Sequence, residues 1–153
     1  MTSFEEILAR DGVLVYKTRG TSMRPLLREG RDLVTIRRPE GRLKALDVAL
    51  YKRGEAFVLH RVIRVTDDHY LIRGDNTYTL ETVPCEAVIG VLTGFKRGGR
   101  EFPASAPFYR FYSRIWTAIY PLRHACFRLA GGLKVIARKL GLTPLLKKLL
   151  RHE

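Results

Sequence analysis

Little in the chain would tie it to a disulfide scaffold, a metal site or a membrane span. Its 153 residues include 2 cysteines, Cys85 and Cys126, which lie far apart and have no CxxC partner. Such spacing builds neither a disulfide framework nor a zinc set, so a reduced, cytoplasmic setting is expected. There is no apolar run of the roughly 18 residues that a spanning helix needs. The opening MTSFEEILARDG carries acids where a secretory signal would have a basic start and an apolar stretch, so no cleaved signal is expected. The absence of GxxxxGK[ST] and GxGxxG patterns sets nucleotide chemistry aside. His69, His124 and His152 lack HExxH or any other ligand spacing and read as surface or packing residues, so neither a metal nor a cofactor is expected.

Acidic residues are scarce as well, and unevenly so. Residues 1–103 hold 18 Lys and Arg against 14 Asp and Glu, whereas residues 104–153 hold 10 against 1. Most of the formal charge of +13 therefore sits in the last third of the chain. A segment of that kind either meets an anionic partner or presents a solvated basic face.

The composition, 46% apolar and 28% charged, is that of a globular chain of about one domain with an appended element. Phe4, Ile7 and Leu8 at helical spacing predict a short opening helix. Short β-rich runs follow at 13–18, 32–37, 46–51, 56–65, 70–73 and 88–95, separated by breaks such as EGR, PEG, TDD, GDN and RGG. Residues 1–103 are thus expected to form a mainly β unit, a small coiled sheet or barrel.

From Pro107 the apolar period becomes helical, through Phe108, Phe111, Tyr112, Ile115, Trp116 and Ile119. A second helical stretch is expected over 122–140 with an interruption at Gly131 and Gly132. A third begins with Thr143 as N-cap and Pro144 at the first helical position. Residues 104–153 read as a basic amphipathic helical tail, with PASAP at 103–107 as the one plausible hinge.

Three segments bear on chemistry. In RGTSMRPLLREGRDLVTI, residues 19–36, a serine followed by Met-x-Pro lies on a restrained turn, where a hydroxyl and its own backbone N–H can be presented together. An acyl-transfer nucleophile needs both, one atom to attack and one donor for the oxyanion. By itself, a turn serine bonding its own backbone is the plainer reading. The run AFVLHRVIRV places His60 in a strand with mostly apolar faces, so a half-buried imidazole is expected, titrating near the ideal for a general base. Alone, it reads as a core histidine. LIRGDNTYTLE supplies Asp75, then Glu81, as carboxylates able to orient a histidine; alone, GDN is a turn.

Taken in order, Gly20-x-Ser22-Met23-x-Pro25, Gly30-x-Asp32-x-Val34, Asp47-Val48, His60-Arg61-Val62 and Gly74-Asp75-Asn76 resemble the signal-peptidase and SOS-repressor clan of serine peptidases. The likeness covers about residues 10–95. With a histidine at the base position it looks most like the archaeal and endoplasmic-reticulum type of signal peptidase. The resemblance implies Ser22 as nucleophile, His60 as general base, Asp75 ahead of Glu81 as orienting acid, and no metal or cofactor. Where many bacterial members carry a hydroxyl two residues before the nucleophile, this chain has Gly20, leaving the Ser22 amide and Thr21 as oxyanion support.

The expectation is a serine endopeptidase acting on a peptide or a leader- or signal-type precursor laid along a strand edge. A non-catalytic peptide-binding module of the same fold is one rival. A basic nucleic-acid-binding protein is another, disfavoured because no helix-turn-helix is evident and the tail aromatics sit at helical core spacing. The tail over 108–151 either meets an anionic membrane surface, giving a peripherally attached cytoplasmic protein, or packs its apolar stripe on the β unit.

Overall fold

The computed structural model describes residues 3–139, with side chains through Gly132. The chain is mainly β, an eight-stranded antiparallel sheet with three helices, two of them C-terminal. It divides into two compact units, one ending at Thr117 and the other beginning at Ala118. The boundary expected at 103/104 and this division are separated by little more than the length of one helix. The stretch expected from Thr143 lies outside the described residues.

Helix α1, Phe4–Asp11, starts with a capping box: the Glu6 amide donates to Ser3 Oγ at 3.1 Å and the Ser3 amide to Glu6 Oε2 at 3.0 Å. It stops at Gly12, which at φ 69° takes the left-handed conformation that closes many helices. The strands are β1 (Val13–Lys17), β2 (Asp32–Arg37), β3 (Val48–Arg53), β4 (Ala56–Val65), β5 (His69–Arg73), β6 (Glu81–Pro84), β7 (Val88–Arg97) and β8 (Arg100–Pro103). Their order is β1-β2-β7-β3-β4-β5-β6, with β8 beside the far half of β7. The sheet stays open rather than closing into the barrel that was one form of the expectation, because its end strands β1 and β6 pair only with β2 and β5 among the described residues.

Strand alternation sends the apolar residues of β3 and β4 into two cores, one on each face. Val48, Leu50 and Leu59 join Leu8, Leu14, Val34, Ile36 and Phe95 on one side; Ala49, Tyr51 and Val62 join Tyr70, Ile72 and Val83 on the other. Burial on both faces explains why these runs read as continuous apolar stretches.

Helix α2, Pro107–Ala118, turns one face to the sheet through Tyr109, Tyr112, Ser113 and Trp116, the i, i+3, i+4, i+7 set of a helix stripe: Tyr109 and Tyr112 join the first core, and Ser113 and Trp116 bond Arg61 and Asp75. Helix α3, Tyr120–Lys139, runs through Gly131 and Gly132 without the expected interruption, since a single helical glycine costs only about 1 kcal/mol.

Candidate active site

The turn that carries Ser22 is shaped by what lies on either side of it. Gly20 has φ 81°, a conformation side-chain-bearing residues rarely adopt. Met23, Leu26 and Leu27 are buried in the first core, and the Leu27 amide donates to the Met23 carbonyl at 2.9 Å. Anchored on one side by these apolar residues, the turn leaves Ser22 half-buried at a cleft. The loop between β5 and β6 grips it from the other side: the Asn76 amide donates to the Ser22 carbonyl at 2.7 Å, and Asn76 Nδ2 to the Thr21 carbonyl at 3.3 Å.

His60 is buried, 4% exposed, rather than half-buried. It faces Ala49 across the β3–β4 ladder, on the side of the second core. Its Nδ1 lies 3.2 Å from Glu81 Oε1 and 3.3 Å from the Tyr51 hydroxyl, while that hydroxyl donates to Glu81 Oε2 at 3.0 Å. Tyr51 has one proton and directs it to Glu81, so toward Nδ1 both neighbours act as acceptors. Nδ1 must therefore carry the hydrogen, and Nε2 is left with a free lone pair. Arg53 Nη1, 3.0 Å from Glu81 Oε2, completes the set.

Of the two candidate acids, Glu81 is the one that lies against His60 Nδ1, whereas Asp75 is paired with Arg61. Neighbouring residues of a strand face opposite sides, and directly paired residues face the same side. Val62 pairs with Ile72 and Ile72 with Glu81, which puts Glu81 on the His60 face. Arg61 pairs with Arg73 on the other face, and Asp75 follows two residues beyond it. The Asp75 carboxylate accepts two bonds from Arg61, at 2.7 and 2.8 Å, and one from the Tyr112 hydroxyl at 3.0 Å. Arg61 also donates to the Leu46 carbonyl and to Ser113 Oγ, and its guanidinium lies over the Tyr109 and Tyr112 rings. Asp75 thus tethers α2 to the sheet.

Ser22, His60 and Glu81 line one cleft of about 1040 Å³. Gly74 stands between Ser22 and His60. A Cβ built there would fall 2.7 Å from the Ser22 carbonyl and 3.0 Å from His60 Nε2, so only a glycine lets the two approach. Among the described residues no hydrogen bond joins the Ser22 hydroxyl to the imidazole, and the Ser22 amide has no hydrogen-bond partner, leaving it available to an oxyanion. The Thr21 carbonyl is taken by the Arg24 and Asn76 donors.

Burial lowers the His60 pKa from its ordinary value, against the Glu81 carboxylate, which pulls it upward. For Glu81, burial acts upward, but the Tyr51 hydroxyl and the Arg53 guanidinium outweigh it and hold the carboxyl below the usual range. Both shifts favour a neutral imidazole on His60 and a carboxylate on Glu81 at neutral pH.

Reasoning from the residues alone passed over Tyr51, Asn76 and Gly74. The GDN turn signal contained the last two, but only as a turn; Tyr51 gave no signal beyond an apolar strand. Among the described residues, no three His, Cys, Asp or Glu side chains cluster as a metal set. No family model matches the chain, and no curated protein matches it in sequence.

Proposed function

We propose that the protein is a serine endopeptidase of the type found in the signal-peptidase and SOS-repressor clan, with Ser22 as nucleophile, His60 as general base and Glu81 as its orienting acid. The observation that carries this reading is the forced tautomer of His60: with Nδ1–H held between Glu81 and Tyr51, the basic Nε2 is the atom beside Gly74 and the Ser22 turn. As a peptide carbonyl is attacked, Nε2 takes the Ser22 proton, the Ser22 amide meets the developing oxyanion, and Glu81 stabilises the imidazolium. The proton then passes to the leaving amine, and water activated by the same nitrogen releases the acyl group. The Ser22 hydroxyl must come within hydrogen-bond reach of Nε2, in keeping with catalytic bonds that tighten only when substrate is bound.

The substrate would be an extended peptide. Among the described residues β1 is paired along one edge only, and residues 56–60 of β4 pair with β3 but not with β5, whose ladder starts at Arg61. Tyr16 and Lys17 of β1 and Ala56–His60 of β4 both line the cleft. A peptide laid between them would find main-chain partners on both sides. The test is a mutant cycle on cleavage of a peptide library. Ser22→Ala and His60→Ala should each abolish turnover with little change in Tm, and the double variant should be no worse than either. Full turnover in Ser22→Ala would end the proposal.

A further inference from the structure

Helix α2 has a second apolar face that stays exposed among the described residues. Tyr109, Tyr112, Ser113 and Trp116 are turned to the sheet, whereas Phe108, Phe111 and Ile115 are 63%, 67% and 46% exposed. Steps of three and four put these three on one stripe, and Arg110 and Arg114, both exposed, follow one another along its flank. Three large apolar side chains in a row on a surface helix mark an interaction site rather than chance exposure. The electrostatics narrow the partner. From Phe102 to His152 the chain has ten Lys and Arg and no Asp or Glu. Among the described residues no helix is long and apolar enough to cross a membrane.

From this combination we infer that α2 docks the protein on an anionic lipid surface, with Phe108, Phe111 and Ile115 in the headgroup boundary and Arg110 and Arg114 at the phosphates. Lipid fits better than a second copy of the chain, because two copies would bring like charges together along the same stripe. It also fits better than nucleic acid, which rewards the cations but leaves Phe108, Phe111 and Ile115 in water. The sheet-side contacts hold α2 in place, so the stripe is presented already ordered and loses little freedom on docking. Trp116 is on the other face, its indole N–H donating to the Asp75 carbonyl at 2.8 Å, and should not sense the lipid.

Sedimentation of the full-length protein with vesicles tests this, comparing phosphatidylcholine alone with phosphatidylcholine containing about a quarter phosphatidylserine. Binding is expected to the anionic vesicles, weaker at about 1 M salt but not lost, since salt screens charge and leaves apolar insertion. Replacing Phe108, Phe111 and Ile115 together by Ser should lower the salt-resistant fraction by about tenfold or more, with Tm unchanged because all three are exposed. In a separate Phe111→Trp variant, emission should shift to the blue with anionic vesicles, while wild-type Trp116 emission stays constant. The inference fails if vesicles do not bind, or if the triple Ser variant binds like wild type. It also fails if gel filtration shows that the stripe joins two copies, or if random oligonucleotides bind with an affinity that the triple Ser variant shares and displace the vesicles.

Discussion

At the scale of single residues, two carboxylates six positions apart have different work, and the difference can be measured. Glu81 touches the imidazole, so Glu81→Gln should lower kcat by about 10²- to 10⁴-fold with a small change in KM and little loss of stability, as it is only partly buried. It should also change the pH profile. The proposed mechanism needs neutral His60, and burial already moves its titration below the ordinary value of about 6.5. Glu81 is the principal group pulling that value upward, so removing it should shift the acid limb of kcat/KM to still lower pH. Asp75→Asn should behave in the opposite way. It strips the buried Arg61 of its counter-charge and should cost about 3 kcal/mol of stability in a denaturant titration, with the pH profile of the remaining folded protein close to wild type. If Asp75→Asn moved the profile and Glu81→Gln did not, the assignment of the two acids would be reversed.

At the scale of elements, α2 is part of the first compact unit rather than of a separable tail. A chain ending at Pro103 would lose Tyr109 from the first core and the Ser113, Tyr112 and Trp116 contacts to Arg61 and Asp75. The expected loss is about 3–5 kcal/mol, seen as a large fall in Tm and exposed hydrophobic surface. A truncated chain with wild-type Tm would contradict the described packing.

The same scale explains what could be read beforehand. Five of the six expected strands have the observed start or lie within a residue of it, because runs such as AFVLHRVIRV combine β-branched density with clear breaks. β6 and β8, ETVP and REFP, are four residues each and follow no such pattern; their neighbours β5 and β7 recruit them by pairing. Asp75 was preferred for its place in the GDN turn, and without β6 nothing in the sequence set Glu81 against it. Without the Ile72–Glu81 pairing, parity cannot say which acid shares the face of His60. The exposed stripe of α2 was legible as apolar spacing, but the helix has two apolar faces, and only the packed structure separates Tyr109, Tyr112 and Trp116 from Phe108, Phe111 and Ile115.

For the whole molecule, the buried ionisable groups predict that stability falls on acidification in two stages. His60 titrates below its unfolded value, so between the two the unfolded chain binds more protons, and stability declines as pH drops through about 6.5. Asp32 acts in the same direction at lower pH. Burial would raise it, but Arg31, Arg97 and the Arg28 amide hold it well below the carboxylate range. Its contribution is present above about pH 4 and lost as pH falls below that. Denaturant midpoints across this range should show both declines, with the upper one absent in His60→Ala and the lower one reduced in Asp32→Asn. A flat profile between pH 7 and about 5 would remove the case for a buried neutral His60.

The central claim is that one cleft holds a serine made nucleophilic by a buried, oriented histidine. The most direct measurement is covalent labelling by a serine-reactive phosphonate at neutral pH, with the modified residue located by peptide mass spectrometry. The account predicts one label, on Ser22, formed at least about 10²-fold more slowly in His60→Ala and not at all in Ser22→Ala. Absence of a label on Ser22 in the folded wild-type protein, or the same labelling rate in His60→Ala, would contradict it and leave a peptide-binding module with a turn serine in its place.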